Sequence, residues 1–339
     1  MSGSELPRVT LAVKAYRQEH LVRRAVESAF AQEYPNLEIL LSDDCSPDGT
    51  FRVMQELAAA WRGPHTVRLN RNPVSLGLIG HENRLWELAS GRLVAFCAGD
   101  DAAEPDRVAR LVEAWRAGAG RVLLVHSRVA RIDLDGRTVG EMAPDPRIVA
   151  DPRPLNVIRI QANCIGATAL YDRRIMEVFG PIPDWCGVED GPQFFRAGLL
   201  GEIAYVDAPL VRYGVGGLSD PPKVSPGRRY LRGHRMTRMA WWVGNARSFL
   251  RDLERVGEVP DRAEIERLCR RFLAEHELEV AAWRAGGPLS RLALLPRTAA
   301  RSLALRDPGP LEQALKHLLG PLYIRWHDRR MRRARRPAG

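Results

Sequence analysis

Four short apolar runs, three of them followed directly by a helical pattern, constrain this chain more than any other feature of its first hundred residues. Val9-Thr10-Leu11-Ala12-Val13, Glu38-Ile39-Leu40-Leu41-Ser42, Thr66-Val67-Arg68-Leu69 and the run Arg92 to Cys97 read as strands. Between them, His20 to Gln32, Thr50 to Trp61 and Gly80 to Ala89 carry helical spacing, with Leu21, Ala25, Ser28 and Ala29 on one face of the first. A β-α-β-α order predicts a parallel sheet covered by helices on both faces. In such sheets ligands bind at the carboxyl ends of the strands. The loops Lys14–Arg17, Asp43–Ser46 and Gly99–Asp101 should therefore share one edge and form the site.

Beyond Pro105 a helix leads to a strand over Arg121–Ser127, and Ile132–Arg137 reads as a hairpin with Asp-Gly at its turn. Pro144 to Pro154 reads as a Pro-rich loop, Cys164 to Tyr171 as a strand, Gly191 to Leu200 as a short helix and Ile203 to Tyr213 as strand material. Gly214 to Gly227 is rich in Gly and Pro, fitting a lid or a domain boundary. From Arg228 onward the pattern is helical, with breaks near Pro260, Pro288 and Pro308.

Composition narrows the class. Apolar residues at 45% and charged residues at 27% exclude a disordered or fibrous chain. No run of about 18 apolar residues occurs, and the start, MSGSELPRVT, lacks a signal-peptide pattern. The protein is expected to be soluble and cytoplasmic. Its five cysteines, none in a CxxC pair, are expected to be free thiols. The net charge of +10 is unevenly spread: residues 1–220 hold 25 basic and 29 acidic residues, residues 221–339 hold 26 and 12. Different partners for the two regions follow.

Three acidic pairs carry the candidate chemistry. Asp100-Asp101 follow an apolar strand directly. Adjacent carboxylates resist joint ionisation unless a cation compensates them, and a divalent ion with hard oxygen ligands suits them; a solvated turn is the alternative. Asp43-Asp44 follow another strand, where a carboxylate either accepts from a nucleobase imino group or caps the helix near Thr50. Glu189-Asp190 precede an apolar helix with Phe194 and Phe195, as a general base or as a helix cap. Gly77 and Gly80 form neither GxGxxG nor GxxxxGK[ST], so neither a dinucleotide fold nor a P-loop is indicated.

Taken together, PRVTLAVKAYRQEHLVRRAVESAFAQEYPNLEILLSDDCSPDGT resembles the opening of the inverting, GT-A-type glycosyltransferases of family 2. NPVSLGLIGHENRLWELASGRLVAFCAGDD resembles that family's next block, through Gly77, Asn83, Ala89 and Gly91, and GVEDGPQFFRAGLLGEIAYVDAPLVRY its acceptor-side block. The resemblance spans about residues 8–219. It implies an α/β fold, a GT-A-like Rossmann-type sheet with helices on both faces, followed by a helical C-terminal region. The implied domains are 1–220, with a nucleotide-sugar half of about 1–104 and an acceptor half of about 105–220, and a basic helical region 221–339.

The implied activity is metal-dependent inverting transfer of a sugar from a nucleoside diphosphate sugar, with UDP expected, to an acceptor hydroxyl in cell-surface polysaccharide or glycolipid assembly. The resemblance places Lys14 and Tyr16 at base and ribose, Asp44 at the base imino group, Asp100 at the ribose and Asp101 on Mn2+ or Mg2+. It makes Asp190 the catalytic base, with Glu189 as a secondary acceptor-side neighbour. Two departures stand out: Ala98 replaces the first acid of Asp-x-Asp-Asp, and Gly214 and Gly216 stand where many members carry Arg and His. Arg212, Lys223, Arg228 and Arg229 are nearby substitutes. A sugar nucleotidyltransferase would need a Gly-rich, Arg-containing loop after the first strand, and Val13-Lys14-Ala15-Tyr16-Arg17 is not one. A catalytically weak sugar-nucleotide-binding scaffold is the remaining alternative.

The stretch Gly320 to Arg336 sets Leu322, Tyr323, Ile324, Trp326 and Met331 among seven arginines. Such a segment suits an anionic membrane surface, which agrees with the lipid-linked saccharide acceptors that the resemblance implies and with peripheral location at the inner face of the cytoplasmic membrane. A solvated basic helix is the plainer reading. It has no base-contacting element or stacking platform, so nucleic acid is not an expected partner.

Overall fold

Strand β1 (Val9–Ala15) is buried almost throughout, as a central parallel strand must be. A computed structural model describes residues 6–215 and 228–284, with helical positions 296, 299, 300 and 303. After β1 the chain runs α1 (Val22–Phe30), β2 (Leu37–Asp43), α2 (Thr50–Ala60), β3 (Thr66–Arg71), α3 (Gly77–Leu88), β4 (Leu93–Ala98), β5 (Ala102–Ala103) and α4 (Arg107–Ala117). There follow β6 (Val122–Ile132), β7 (Thr138–Met142), α5 (Pro146–Ala150), α6 (Pro154–Ile160), a 3-10 turn (Gly166–Thr168), β8 (Leu170–Asp172), α7 (Arg174–Phe179), α8 (Asp190–Leu200), β9 (Glu202–Gly214), α9 (Arg228–Leu253) and α10 (Arg262–Arg284).

Nine strands form one sheet in the order β3-β2-β1-β4-β8-β6-β9-β5, with β7 on β6. The first four are parallel, as expected. The second half corrects the all-parallel expectation: β8 runs antiparallel to both β4 and β6, and β5 antiparallel to β9. The Asp-Gly hairpin is present between β6 and β7, with Gly136 at φ +82° and Asp133 accepting from the Arg137 amide.

Strand alternation sorts the side chains. Val9, Leu11, Val13 and Ala15 of β1 join the core shared with Val22, Ala25, Val26 and Ala29 of α1, Val53 and Met54 of α2 and Val108, Leu111, Val112 and Trp115 of α4. The i, i+3, i+4 spacing of those helical residues is what draws the three helices onto the sheet. Phe96 of β4 points to the other face, where Trp86 of α3 meets it edge-on at 5.7 Å and also meets Tyr171 of β8. Lys14, one step out of phase with Val13, shares that α3 face.

Two further expectations are corrected. The Pro-rich stretch holds α5 and α6, each beginning with proline, because proline's missing N–H costs nothing in a first turn and its φ is already helical. The strand expected over Cys164–Tyr171 is a 3-10 turn and the three-residue β8.

Contacts divide the chain into two compact units, Met1–Ser225 with Ser248–Arg262, and Pro226–Arg247 with Ala263–Gly339. The sheet lies in the first. In the second, Met236, Ala240 and Val243 of α9 and Ile265, Cys269 and Phe272 of α10 are buried, and Arg247 pairs with Glu277. Of the helices among the described residues, none is long and apolar enough to cross a membrane. None of the five cysteines is in a disulfide. Gly216, the Lys223 side chain, the side chains of Arg228 and Arg229 and the basic stretch Gly320–Arg336 lie outside the described residues.

Candidate active site

Parallel register brings the three expected loops to one sheet edge: Lys14 lies opposite Ser42 and Ala98, and Ala15 opposite Asp43. Backbone bonds continue the ladder past the strands, from the Asp44 amide to the Ala15 carbonyl and from the Gly99 amide to the Lys14 carbonyl. The Arg17 amide donates to Ser46 Oγ. Arg17 and Cys45 sit at φ +56° and +59°. Left-handed backbone at non-glycine residues is costly and concentrates at functional sites. Tyr16 is half-buried, with the Arg17 guanidinium 5.4 Å from its ring centre.

Asp44 is fully engaged. Its Oδ1 accepts from Asn72 Nδ2 at 2.7 Å and the Leu76 amide at 2.9 Å, and its Oδ2 from Ser75 Oγ and the Gly77 amide, both at 2.9 Å. Burial opposes ionisation, but these donors outweigh it and hold the carboxyl below the usual range. Asp44 thus anchors the 72–77 loop. It does not cap α2, whose first turn is served by Asp48, accepting from the Thr50 amide and hydroxyl.

Asp100 and Asp101 end the β4 loop, both buried. Asp101 Oδ1 accepts from the Gly214 amide at 2.9 Å, while its Oδ2 is buried with no hydrogen-bond partner. Burial and the Asp100 charge push the Asp101 carboxyl up to about 7. An orphaned carboxylate oxygen beside a second carboxylate fits a divalent cation with hard oxygen ligands. No group of three or more His, Cys, Asp or Glu able to hold a metal occurs among the described residues, so water and substrate phosphate oxygens would fill the ion's other positions. Gly214 has a packing reason: a Cβ there would lie 2.3 Å from the Asp100 carbonyl oxygen. Arg212, a candidate replacement for the missing basic groups, is bound to Glu104 at 2.8 Å.

The third acidic pair opens α8. Glu189 accepts from Lys14 Nζ at 2.6 Å, and the same ammonium reaches Glu82 of α3 at 2.5 Å. Lys14 is therefore turned toward the acidic pair. Asp190 is pressed against Gly166, whose backbone hydrogen-bonds it, and burial with the Glu189 charge pushes its carboxyl up to about 7. A carboxyl near 7 can accept a proton at neutral pH.

Glu82 and Gly166 escaped the sequence reading. Glu82 had a signal: it shares a helix face with the buried Ile79, Leu85 and Trp86, where an acid needs a partner. Gly166 had none, since only the fold brings it to Asp190.

Comparisons with known proteins give the family and the fold. The family described as Glycosyl transferase family 2 matches residues 10–179. The succinoglycan biosynthesis protein ExoO of Rhizobium meliloti is 36% identical over 137 residues, 40% of this chain and 37% of that protein. The UDP-Glc:alpha-D-GlcNAc-diphosphoundecaprenol beta-1,3-glucosyltransferase WfgD of Escherichia coli is 32% identical over 94 residues, 27% of this chain and 35% of that protein. The chain thus spans less than half the length of these curated relatives. Among solved structures, the mannosyltransferase PcManGT of Pyrobaculum calidifontis, in complex with GDP-Man and Mn2+, aligns with a TM-score of 0.56 at 20% identity, covering 93% of this chain and 88% of that one. S. aureus TarS 1-349 in complex with UDP aligns with a TM-score of 0.54 at 16% identity, over 79% and 71%. At such identities the likeness is one of fold, and it is a GT-A-type glycosyltransferase fold. With the family match covering half of its length, including the β1, β2 and β4 loops, the chain belongs to glycosyl transferase family 2.

Proposed function

We propose that this protein moves a sugar, with inversion, from a nucleoside diphosphate sugar to an acceptor hydroxyl in polysaccharide or glycolipid assembly. The observation that carries this reading is Asp190: a half-buried carboxyl at the start of a helix, raised to about 7 and joined through Glu189 and Lys14 to the nucleotide-side sheet edge. UDP is the expected nucleotide, in line with the UDP-Glc donor in the name of the E. coli relative and the UDP in the S. aureus structure.

In this reading Tyr16 and Asp100 hold base and ribose, and Asp44 acts through the loop that it anchors. Asp101, with Asp100 beside it, would hold Mn2+ or Mg2+, which neutralises charge on the departing diphosphate. Asp190 takes the proton from the acceptor hydroxyl as that oxygen bonds to the anomeric carbon. The bond from that carbon to the diphosphate breaks with its electron pair on the leaving group, on the opposite face, so the configuration inverts. No covalent sugar–enzyme step is needed. The basic stretch 320–336 is proposed to dock on anionic lipid at the inner face of the cytoplasmic membrane, near a lipid-linked acceptor; cosedimentation with anionic vesicles, lost on removing it, tests this.

Thermal shift with UDP, GDP and their sugars, with and without Mn2+, tests the donor. A Mn2+-dependent rise in Tm with one nucleotide, about 2.7 kcal/mol at a hundredfold excess over Kd, supports it. Loss of that shift in Asp101→Ala supports the metal ligand. Asp190→Asn should abolish turnover while keeping the shift. Unchanged turnover removes the base role, and wild-type protein that binds but never turns over favours the scaffold alternative.

A further inference from the structure

Alternation in β1 turns Lys14 away from the α1, α2 and α4 core and toward α3. Its ammonium sits 2.5 Å from Glu82 Oε2, 2.6 Å from Glu189 Oε1 and 5.4 Å from the centre of the Phe96 ring. One cation thus ties three distant stretches of chain, at residues 14, 82 and 189. Glu189 immediately precedes α8 and Asp190 is its first residue, so holding Glu189 holds the backbone that presents Asp190.

We propose that Lys14 and Glu82 are positioning residues for Asp190, the ammonium seated on Glu82 fixing Glu189 and setting the field at the neighbouring carboxyl. This rests on Asp190 being the base. It also takes Lys14 out of direct donor contact.

The charges decide the protonation. One half-buried cation faces the buried Glu82 and the half-buried Glu189 and Asp190, and full ionisation would leave two uncompensated negative charges. No donor reaches Glu82 Oε1, and the ammonium on its Oε2 is shared with Glu189. Of the three acids Glu82 is the fully buried one, so the proton belongs there; burial, with Glu189 nearby, pushes it up to about 8. Glu189 stays ionised, because Lys14 outweighs its burial and it lies at a helix N-terminus. The other groups facing Asp190 and Glu82 are Cys164 and Tyr171, both kept neutral by burial. Asp101 and His81 also feel Lys14.

The test is a carboxyl NMR titration of the full chain labelled at aspartate, with the Asp190 signal identified by its loss in Asp190→Asn. In Lys14→Met the Asp190 midpoint should rise by about one unit, while Kd for UDP with Mn2+ stays within about twofold. A roughly tenfold weaker Kd with an unmoved midpoint would overturn the proposal and make Lys14 a donor ligand. Glu82→Gln, the isostere of a protonated glutamate, covers the case in which Lys14→Met fails to fold. It should leave the Asp190 midpoint in place, and a fall of about one unit would show Glu82 ionised and sink the proton assignment. Retained turnover in Asp190→Asn would remove the base role and leave these titrations standing, so the two failures are distinguishable.

Discussion

Asp190 and Gly166 leave no room between them: a Cβ built on Gly166 would lie 1.7 Å from Asp190 Oδ1. The Gly166 backbone has no positive φ, so alanine suits its conformation and only the carboxyl objects. Gly166→Ala should therefore swing the Asp190 carboxyl aside without unfolding the chain, since a compatible Gly→Ala change stiffens the unfolded state by about 0.4–1 kcal/mol. Turnover should fall by about 10- to 100-fold, the cost of a misplaced reacting group, with nucleotide affinity and Tm nearly unchanged. Steady-state rates beside a melting curve check it; a fully active variant would mean that Asp190 need not stand where it does.

Asp44 holds the 72–77 loop through four donors. An asparagine there must turn an N–H toward the Leu76 or the Gly77 amide, leaving at least one buried donor unsatisfied. Asp44→Asn should cost about 1–3 kcal/mol, spent first on local opening of the loop. Hydrogen exchange should quicken at the Leu76 and Gly77 amides before it quickens in β2. Exchange unchanged at those two amides would show that the carboxylate is not what orders the loop.

The nucleotide-side half was legible because β1, β2 and β4 are short apolar runs buried on both faces, so apolar blocks and helical spacing alternate plainly from Val9 to Ala98. The acid pairs were legible for a related reason: Asp44, Asp101 and Asp190 follow strands or open helices, places that local pattern locates. What local pattern cannot locate is a partner far along the chain. Glu82 and Gly166 gain their meaning only when α3 and the 164–168 turn fold against residues 14 and 190. The direction of Lys14 was nevertheless readable, since it is out of phase with Val9, Leu11 and Val13. The helices beginning at Pro146 and Pro154 were hidden by their own starts, proline marking a loop and a first helical turn equally well. With three residues, β8 is too short to show any period.

Arg196 of α8 and Asp252 of α9 form an ion pair with both side chains fully buried, at 2.7 and 3.2 Å. Arg196 also donates to the Gly180 carbonyl, and Ser248 Oγ to Asp252. Removing one partner leaves a buried charge uncompensated, at about 3–5 kcal/mol. Arg196→Met and Asp252→Leu should each destabilise by that amount in denaturant titrations. The double variant should recover most of the loss, because a well-packed apolar pair escapes desolvation altogether. Additive losses would mean that the two charges are not each other's main compensation.

Stability should fall as pH rises from 6.5 to 8. Asp101 and Asp190 are raised to about 7 and Glu82 to about 8, so in this window the folded chain keeps protons that the unfolded chain, with carboxyls near 4, has released. Each retained proton lowers unfolding free energy by about 1.4 kcal/mol per pH unit. Below 6.5 the buried His81 and His126, both lowered to about 4 by burial, act in the opposite sense, since their unfolded forms bind the extra protons. Glu38 and Asp44 are depressed, and their stabilisation is lost only in acid, below about pH 4. Above 8 the thiols of the unfolded chain begin to titrate. Between 6.5 and 8 the raised acids therefore dominate, and calorimetry should record a Tm lower by a few degrees at the upper end. Glu82→Gln should remove the largest single share of that slope, and Asp190→Asn a smaller one, because Glu82 holds its proton over more of the window than Asp101 or Asp190 does. A Tm that is flat or rising in the unmodified chain would mean that these acids are ionised in the folded state, and that the ammonium of Lys14 compensates more charge than one.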